Sequence, residues 1–473
     1  MKGVFCLVLA VLVSCGSSPP KPSTLASAPA VAAKPLAVTP AASRQLAEQT
    51  KLMIPDTAAG HTMAAWLDAF NSGDVARMYD FADRYKDPMR RWVTNFRERT
   101  GGFDVVSMEE SGPRSIAFVV KERVSTAQQI GVLRVADGEP AVIESFTFVA
   151  VPQEMTAADI HTEIDAGAPK RIVDAIRKTL NAQYVYPAIA KKTAQALREH
   201  LEHGDDQAIA TGPELAFALT HQLQEVSHDL HVGVEWQART SPPGGGETDE
   251  DRQQQKERLE RMKCGFLNVE RLDGNIGYVK FDMFGRVDVC GAEASAAFAS
   301  LGDVEAMIFD LRDNGGGWPQ MVTYVESYLF AKRTHIYDMY DRNDNKLTPF
   351  WTNPDVPGKK LATQPVYVLT AARTFSAAEA FAYDLQSAKR ATIVGETTGG
   401  GAHPMHPVSL DDHFVLMVPS ARPINAVTKT DWEGTGVEPD VKVPADQALD
   451  KAKQLAADQL AKLHAARKSS NAE

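Results

Sequence analysis

The sequence predicts a multidomain protein that combines an α+β unit with an α/β unit. Helical patterns followed by a series of strands occupy residues 55–153, and apolar residues recur at helical spacing through residues 165–227. From Gly265 onward, apolar strands alternate with helices, which is typical of α/β structure. At roughly 150 residues per domain, the 473-residue chain has room for about three domains.

The composition is that of a globular protein and excludes several other classes. The chain is 44% hydrophobic and 23% charged, which excludes wholesale disorder, collagen and a coiled-coil rod. Its net charge of −11 comes without a basic stripe, so nucleic acid is excluded as the main partner, because phosphate binding needs clustered Lys and Arg. No apolar run reaches the roughly 18 residues of a membrane span, which excludes a polytopic membrane protein.

The first fifteen residues resemble a bacterial lipoprotein signal. Lys2 supplies a positive start, and the apolar run from Val4 to Val13 is too short to span a membrane but typical of a signal peptide. The run ends at Cys15, which in the lipoprotein box becomes the lipidated first residue. The alternative is a plain secretory signal with a coincidental cysteine. Gly16 rather than Asp follows, which favours the outer membrane, so we expect a lipid-anchored protein of the bacterial cell envelope facing the periplasm.

The cysteines agree with that compartment. Cys6 would leave with the signal peptide, which leaves Cys264 and Cys290 in the mature protein besides Cys15. In an oxidising periplasm these two could form a disulfide. Two free buried thiols are an equally open alternative. No C-x-x-C motif is present, so neither cysteine is predicted to be a nucleophile or metal ligand.

The chain divides by composition into six segments. Residues 16–50 are rich in Ala, Pro and Ser and form a tether that cannot bury a core. The helices and strands that follow resemble a cystatin-like α+β roll without a catalytic set, so we expect a structural or docking role there. The predicted boundaries are 1–15 for the signal peptide, 16–50 for the tether, 51–153 for the roll, 154–240 for a helical subdomain, 241–262 for a charged linker and 263–473 for an α/β core with a C-terminal helix.

A glycine run at the end of a predicted strand is the first candidate site. The apolar strand beginning at Ala306 ends in Asp313, Asn314 and then Gly315, Gly316 and Gly317. Successive glycines let backbone N–H groups turn into a cavity without Cβ clashes, and such groups can stabilise an oxyanion. A phosphate cradle is disfavoured, because there is no Walker lysine and no G-x-G-x-x-G.

The second candidate site is a serine at the start of a predicted helix. The buried strand from Val366 to Thr370 leads through a turn to Ser376, which opens a helix running to Lys389. The free N–H groups and positive end of a helix stabilise both an alkoxide and a tetrahedral intermediate. The alternative is that Ser376 and Glu379 form a capping box, which would explain the serine by helix stability alone.

Four motifs in order resemble a known peptidase family. They are FDLRDNGGG at 309–317, TFSAAEAFAY at 374–383, ATIVGETTGGGA at 391–402 and GTGVEPD at 434–440. Together they resemble the core of the C-terminal-processing (tail-specific) serine peptidases, nearest the branch with tricorn-like peptidases and interphotoreceptor retinoid-binding protein. The resemblance covers residues 165–445 and implies a crotonase-like ββα peptidase core, a helical N-terminal subdomain and Ser376 as nucleophile.

The sequence departs from the best-known members of that family in two places. Their general base is a lysine about 25 residues after the serine, where this chain has Gly401, and Lys389 is better placed to end its helix. Only about 40 residues separate His231 from the strand beginning at Gly277, whereas a PDZ domain needs roughly twice that, so this tail-binding domain is predicted to be missing.

The resemblance supplies another base. The tricorn-like branch uses a histidine from the helical subdomain, and His231 matches it within an Asp-x-His pattern, with His228 as the alternative. A cap at a helix end would explain either histidine without catalysis. The branch also uses a glutamate that Glu433 matches, which would orient the base or a neighbouring group. The predicted oxyanion donors are the N–H of Gly315 or Gly316 together with that of Ala377. The histidine and the serine must then meet across a subdomain boundary.

A metal site is the rival chemistry. His228, His231, His403 and His406 could supply four zinc ligands. Prolines flank the second pair on a loop and no H-E-x-x-H motif exists, so no metal or other cofactor is predicted. His403 is instead expected to shape the substrate cleft.

The sequence thus predicts an envelope lipoprotein that is a serine endopeptidase. It would hydrolyse peptide or protein substrates through an acyl-enzyme on Ser376, with His231 as base and Cys15 as membrane anchor. The peptide is expected to lie extended along the strand from Val366 to Thr370. The alternative is a catalytically silent hydrophobic-ligand-binding protein on the same fold, since fold does not imply function.

Overall fold

The structure is a computed structural model. It describes residues 54–470 apart from 88, 91–92, 124–127, 137, 139, 152–162, 205–208, 210 and 238–248. The predicted signal peptide, Cys15 and the tether lie outside the described residues. The chain divides into two compact units that meet in sequence at Met155 and Thr156. Among the helices described, none combines the length and apolar character that a membrane span requires.

The N-terminal unit has three helices followed by four strands. The helices are α1 (Ala58–Ser72), α2 (Val75–Tyr85) and α3 (Val93–Thr100), and the strands are β1 (Phe103–Ser111), β2 (Ser115–Glu122), β3 (Gln128–Val135) and β4 (Ile143–Val151). The strands pair antiparallel in sequence order. Thr57 and Asp74 cap the first two helices, because their side-chain oxygens accept N–H groups that have no partner within the helix. Trp66 stacks on Phe70 at 4.5 Å within an aromatic core.

The second unit opens with three helices and a short strand. These are α4 (Ala168–Gln183), α5 (Pro187–His203), α6 (Gly212–Ser227) and β5 (Gly233–Trp236). A proline lies in the first turn of each helix, where a missing N–H costs nothing. His228 ends α6 in the left-handed conformation. Within the predicted charged linker, residues 249–261 form a further helix, α7 (Asp249–Arg261).

A six-stranded sheet forms the centre of this unit. Its strands are, in spatial order, β16 (Val441–Lys442), β12 (Thr392–Gly395), β11 (Val366–Thr370), β8 (Ala306–Asp310), β7 (Ile276–Phe281) and β6 (Phe266–Leu272). All neighbouring pairs are parallel except β6–β7. Strands β8 and β11 are buried along their whole length, because helices cover both faces of the sheet. The elements from here to the C-terminus are β6 (Phe266–Leu272), β7 (Ile276–Phe281), α8 (Val287–Leu301), β8 (Ala306–Asp310), α9 (Pro319–Glu326), β9 (His335–Asp341), β10 (Lys346–Trp351), β11 (Val366–Thr370), α10 (Ala377–Ser387), β12 (Thr392–Gly395), β13 (Met405–Ser409), β14 (Phe414–Pro419), β15 (Ala421–Asn425), β16 (Val441–Lys442) and α11 (Ala448–Ser470).

Two three-stranded sheets position the site beside the central sheet. Their orders are β10-β9-β15 and β13-β14-β5. Because β5 follows the helices and pairs with β14, it joins the helical part of this unit to the α/β part. Val234 on β5 and Leu416 on β14 share one apolar cluster with residues of α4, α5 and α6. The loop between α6 and β5 is thereby held against the α/β part.

Two expectations can be compared with this topology. Cys264 and Cys290 are joined in a disulfide with their Cα atoms 5.5 Å apart, so the paired alternative is the one observed. The placement of a peptide along β11 was wrong. That strand is hydrogen-bonded to β8 on one side and to β12 on the other, so no edge remains for an added strand.

Candidate active site

Ser376 lies in a sharp turn between β11 and α10. Its backbone angles are φ 54° and ψ −121°, a conformation that costs free energy for any residue with a Cβ and that recurs at functional sites. Gly316 makes the turn possible, because a Cβ there would lie 2.7 Å from the Ser376 Cβ. The serine therefore lies at the N-terminus of α10, where the free N–H groups of the first turn can stabilise negative charge.

Glu379 holds this turn in place through hydrogen bonds to its backbone. Ser376 and Glu379 form the predicted capping box, and Glu379 Oε2 accepts the Ser376 N–H at 2.8 Å. The same buried carboxylate accepts the Thr398 hydroxyl at 2.5 Å and the N–H groups of Gly400 and Gly401 at 2.6 and 2.9 Å. Burial raises its pKa to about 7, although these donors oppose the shift. Glu379 thus ties the serine to the glycine loop after β12.

His231 lies beside the serine hydroxyl. Its Nε2 is 3.2 Å from Ser376 Oγ, although 145 residues separate the two in sequence. The ring stacks on Phe375 with 4.8 Å between centroids. Burial lowers the pKa of His231 to about 4, although the nearby Asp229 opposes the shift, so the imidazole is neutral at neutral pH. A neutral ring with Nε2 unprotonated can take the proton of the serine.

The other predicted bases do not reach the serine. His228 is exposed at the end of α6. At position 401, a Cβ would lie 2.2 Å from the Phe375 ring and 2.7 Å from His231 Cε1. The space beside position 401, where the resembled peptidases carry a lysine, is therefore filled by the histidine and the ring on which it stacks.

The carboxylate nearest His231 is Asp229 and not Glu433. Asp229 Oδ1 accepts the His231 N–H at 2.9 Å and lies 3.9 Å from Nδ1 of the same ring. Glu433 Oε2 accepts the Ala402 N–H at 2.5 Å and lies 3.4 Å from His403 Nδ1. Glu433 therefore contacts a neighbouring group, which is the second of the two roles expected for it.

Asp229, His403, Glu433 and Tyr184 form a buried cluster behind the base. Asp229 Oδ2 accepts the Tyr184 hydroxyl at 2.9 Å and lies 2.8 Å from His403 Nδ1. Burial alone would raise the pKa of Asp229, but the hydrogen bond and charge of His403 lower it. Burial likewise opposes protonation of His403, yet the bond to Asp229 outweighs it and raises the His403 pKa. These opposite shifts favour an ion pair between the Asp229 carboxylate and the His403 imidazole.

The predicted oxyanion donors need a correction. The Gly315 N–H donates to the Asp282 carbonyl at 3.2 Å, and the Gly316 N–H donates to Asn314 Oδ1 at 2.9 Å. Both are therefore occupied within the glycine turn. Ala377, the third predicted donor, lies with Gly317 in the wall of the cavity that contains Ser376.

An apolar cavity opens at the serine and encloses about 620 Å³ including its mouth. Its lining residues are mostly hydrophobic: Trp318, Pro319, Tyr337, Met339, Ala380, Pro404, Met405, Pro423 and Trp432, with Gly317, Ala377, Ala402, His231 and Ser376. Trp432 is fixed there by its indole N–H, which donates to the Gly401 carbonyl at 2.9 Å. Apolar side chains of a ligand would lose water-exposed area by entering this space.

The four histidines considered for zinc do not converge. His406 is bonded to Gln183 at 2.8 Å and to Ser420 at 3.1 Å, and His228 is exposed. In the described part of the chain, the one group of possible metal ligands is Asp229, His403 and Glu433, whose ligand atoms lie within 4.8 Å of one another. The hydrogen bond between Asp229 and His403 accounts for their proximity without a metal.

Sequence reasoning missed the contacts that several residues make in the site. Tyr184 carried no signal, because a lone tyrosine at a helix end has many explanations. Asp229 is the aspartate of the Asp-x-His pattern, but that pattern was used only to locate His231 and predicted no contact for the aspartate. Glu379 was read as a helix cap, and the Ser-x-x-Glu spacing could not show that its carboxylate also binds the distant glycine loop. His403 was expected to shape the cleft, whereas it is buried beneath it.

The chain matches known sequence families over much of its second unit. The profile of Peptidase family S41 matches residues 275–443, and that of the N-terminal domain of Peptidase_S41 in eukaryotic IRBP matches residues 161–262. The Arabidopsis thaliana carboxyl-terminal-processing peptidase 2, chloroplastic, is 27% identical over 177 residues, 36% of this chain and 32% of the relative. The Tetradesmus obliquus C-terminal processing peptidase, chloroplastic, is 28% identical over 176 residues, which are 36% of this chain and 35% of that relative. The chain thus spans about a third of the length of these curated relatives.

Solved structures with similar folds include two peptidases. The photosystem II D1 C-terminal processing protease aligns with a TM-score of 0.38 at 18% identity, covering 59% of this chain and 93% of that protein. The tricorn protease aligns with a TM-score of 0.43 at 14% identity, covering 75% of this chain and 41% of that protein.

Proposed function

We propose that this chain, whose residues 275–443 match the profile of Peptidase family S41, is a serine endopeptidase in which Ser376 is the nucleophile and His231 the general base. The observation that carries the proposal is the 3.2 Å distance between His231 Nε2 and Ser376 Oγ at the mouth of an apolar cavity. A nucleophile within hydrogen-bond reach of a base is the arrangement that acyl transfer requires.

The reaction follows from the positions of these groups. The Ser376 hydroxyl attacks a peptide carbonyl as its proton passes to His231 Nε2, which forms a tetrahedral intermediate. The imidazolium then returns the proton to the leaving amine, the C–N bond breaks and an ester on Ser376 remains. Water attacks this ester with His231 again as base, which releases the acid and restores the serine.

Charge on the intermediate is stabilised at the N-terminus of α10. The Ala377 N–H begins that helix next to Ser376, and the backbone at Gly317 lies in the same cavity wall. These groups replace the donors first expected, since the Gly315 and Gly316 N–H groups already have acceptors. Loss of one oxyanion donor typically costs about 10²- to 10³-fold in rate.

The substrate is a peptide or protein segment with a large apolar side chain next to the scissile bond. The cavity beside Ser376 is lined by Trp318, Met339 and Trp432, and among the described residues the one lining side chain that can carry a charge is the imidazole of His231 when protonated. A charged side chain would lose its hydration there without a partner. No PDZ domain is proposed, because the interval between β5 and β6 is too short for one and α7 occupies much of it.

The proposed location is the bacterial cell envelope, with a lipid on Cys15. The support is the signal-like start of the sequence and the disulfide between Cys264 and Cys290, since disulfides persist in oxidising compartments. Incorporation of labelled palmitate into the wild-type chain and its loss in Cys15→Ala test the anchor. Palmitate retained by Cys15→Ala contradicts it.

A fluorophosphonate probe tests the nucleophile and base directly. The full-length protein in detergent should be labelled, Ser376→Ala should lose all labelling and His231→Ala should lose most of it. Ser300→Ala, on the far end of α8, is the matched control and should label like the wild type. A folded wild-type chain that neither labels nor cleaves peptides with apolar residues contradicts the peptidase. Apolar ligands that then alter the fluorescence of Trp318 and Trp432 would favour a binding protein.

A further inference from the structure

We propose that Asp229, and not Glu433, is the carboxylate that positions the base His231, and that His403 is a second imidazole that holds Asp229 in place. The proposal rests on the serine peptidase function proposed above. Neither residue lies in the wall of the cavity, so both act through His231 and are positioning residues.

The two oxygens of Asp229 face in different directions. Oδ1 lies toward His231, where it accepts the backbone N–H at 2.9 Å and approaches ring Nδ1 at 3.9 Å. Oδ2 is held on the other side by the Tyr184 hydroxyl at 2.9 Å and by His403 Nδ1 at 2.8 Å. Two donors on one oxygen fix the carboxylate plane, so the other oxygen remains directed at the base.

His231 needs an acceptor at Nδ1. When Nε2 accepts the serine proton, Nδ1 must carry a hydrogen, and among the described residues this buried atom has no hydrogen-bond partner. Asp229 Oδ1 at 3.9 Å is the nearest carboxylate oxygen. Catalytic hydrogen bonds are often long before substrate binds and shorten during the reaction. The ion pair would then stabilise the imidazolium that forms.

His403 supplies the counter-charge that lets Asp229 remain ionised. Asp229 is 1% exposed, and a cationic partner stabilises the ionised form of a carboxylate so buried. His403 is also 1% exposed, and the Tyr186 ring contacts it edge-on at 5.3 Å. The other titratable groups that act on His403 are Glu433 and Asp431.

Glu433 contacts the same ring nitrogen of His403 that Asp229 contacts. Its Oε2 lies 3.4 Å from His403 Nδ1 and accepts the Ala402 N–H, and the ligand atoms of Glu433, His403 and Asp229 lie within 4.8 Å of one another. Burial and the charge of Asp229 raise the pKa of Glu433 to about 8, so it is mostly protonated at neutral pH. A neutral acid cannot supply the charge that His231 needs, whereas Asp229 Oδ1 lies 3.9 Å from the Nδ1 of that ring.

Two variants of equal shape test which carboxylate positions the base. Asp229→Asn and Glu433→Gln each remove one charge and preserve the size of the side chain. We expect Asp229→Asn to lower kcat for peptide hydrolysis by about 10²- to 10⁴-fold with KM changed less than about threefold, as for loss of the orienting carboxylate in serine proteases. Glu433→Gln should lose less than about tenfold. The reverse ranking overturns the proposal.

The role of His403 is tested by its pH profile. His403→Gln removes the cation, which raises the pKa of Asp229 and removes a positive charge near His231, so the acid limb of kcat/KM should move to higher pH. Tyr184→Phe is the matched control, because it removes the other donor to the same oxygen without changing charge, and its limb should stay in place. If both variants lose the same factor in kcat/KM and the acid limb of the pH profile stays in place in both, His403 only supports the structure. That result overturns its proposed role.

A spectroscopic measurement separates this proposal from the peptidase function. Proton NMR of the histidine-labelled protein should show a low-field Nδ1–H resonance from His403 that disappears in Asp229→Asn and His403→Gln and persists in Glu433→Gln. Its absence in the wild type contradicts the ion pair whether or not the protein is active. If the resonance is present and no variant or wild type labels with fluorophosphonate, the peptidase function fails instead. If Asp229→Asn does not fold, a smaller loss of kcat in His403→Gln than in Glu433→Gln overturns the proposal.

Discussion

His231 Nε2 lies 3.2 Å from Ser376 Oγ, and the two residues come from different parts of the second unit. His231 belongs to the loop between α6 and β5, whereas Ser376 belongs to the turn between β11 and α10. The pairing of β5 with β14 holds that loop against the α/β part. The distance between His231 Nε2 and Ser376 Oγ therefore depends on how the helices pack on the α/β part as well as on the two residues themselves.

The low pKa of His231 predicts an unusual acid limit. The rate of fluorophosphonate labelling should stay constant as the pH falls below 6.5 and decline only near pH 4, because burial lowers the pKa of His231 to about 4. Protonation below that pH removes the lone pair that accepts the serine proton. Labelling rates across a pH series, with tryptophan fluorescence to confirm folding, measure the limit. A decline centred near 6.5 contradicts the prediction.

Gly316 and Gly315 should respond differently to the same substitution. In Gly316→Ala the new Cβ would meet the Ser376 Cβ at 2.7 Å and the Ala377 nitrogen at 3.1 Å, in a backbone conformation with φ 112°. We expect about a 10²-fold loss of labelling rate and a loss of about 1–3 kcal/mol in the free energy of unfolding. Gly315→Ala is the matched control, because a Cβ there has no atom within 4 Å. Equal effects of the two changes would contradict the steric explanation.

The disulfide should contribute measurably to stability. Cys264 and Cys290 are 26 residues apart, and closing a loop of that length should stabilise the folded chain by about 3–4 kcal/mol through the unfolded state. Replacing both cysteines by Ala should lower the Tm, and a reductant should lower the Tm of the wild type but leave that of the double variant unchanged. A reductant that leaves the wild-type Tm unchanged means that the bond contributes nothing to stability.

A buried acidic pair away from the cluster predicts that stability falls with rising pH. Glu326 and Asp384 are buried, and among the described residues neither Glu326 oxygen has a hydrogen-bond partner. Burial and their mutual repulsion raise the pKa of Glu326 well above 4.5. The folded state thus holds a proton that the unfolded chain releases near pH 4.5, so the free energy of unfolding falls as pH rises above that value.

Glu326→Gln should flatten this dependence. The amide removes the charge, so the variant should gain about 1–3 kcal/mol over the wild type at pH 8 and less at pH 5. Denaturant unfolding at both pH values gives the difference. Exposed Glu225→Gln is the control and should parallel the wild type. A variant that is destabilised equally at both pH values would show that Glu326 is held by an interaction that needs its charge.

Much of the second unit could be predicted from local patterns. The apolar runs that became β8 and β11, and the serine that opens α10, were predicted because strand and helix signals lie within a few residues of one another. The mixed α and β composition and the peptidase family were confirmed. The predictions on Cys15 and on the cell envelope stay predictions.

Other features of the site could not be predicted because they depend on contacts between distant segments. Asp229 binds His403 across 174 residues, and Glu379 binds Gly401 across 22. The motif pointed to Glu433, but a motif carries no information on which carboxylate lies nearer the ring of the base, which here is Asp229. The position of β11 at the centre of the sheet likewise depends on strand order, which local patterns do not reveal.

The sequence by itself determined the order of helices and strands, the glycine turn after β8 and the serine at the start of α10. Those features depend on residue type and on spacing between residues that are close together in the sequence. Only the tertiary structure decided that His231 reaches Ser376, that Asp229 faces the base and that the Gly315 and Gly316 N–H groups are occupied. Such relationships require atoms to lie within about 3 Å of one another, and the packing of whole elements sets distances on that scale.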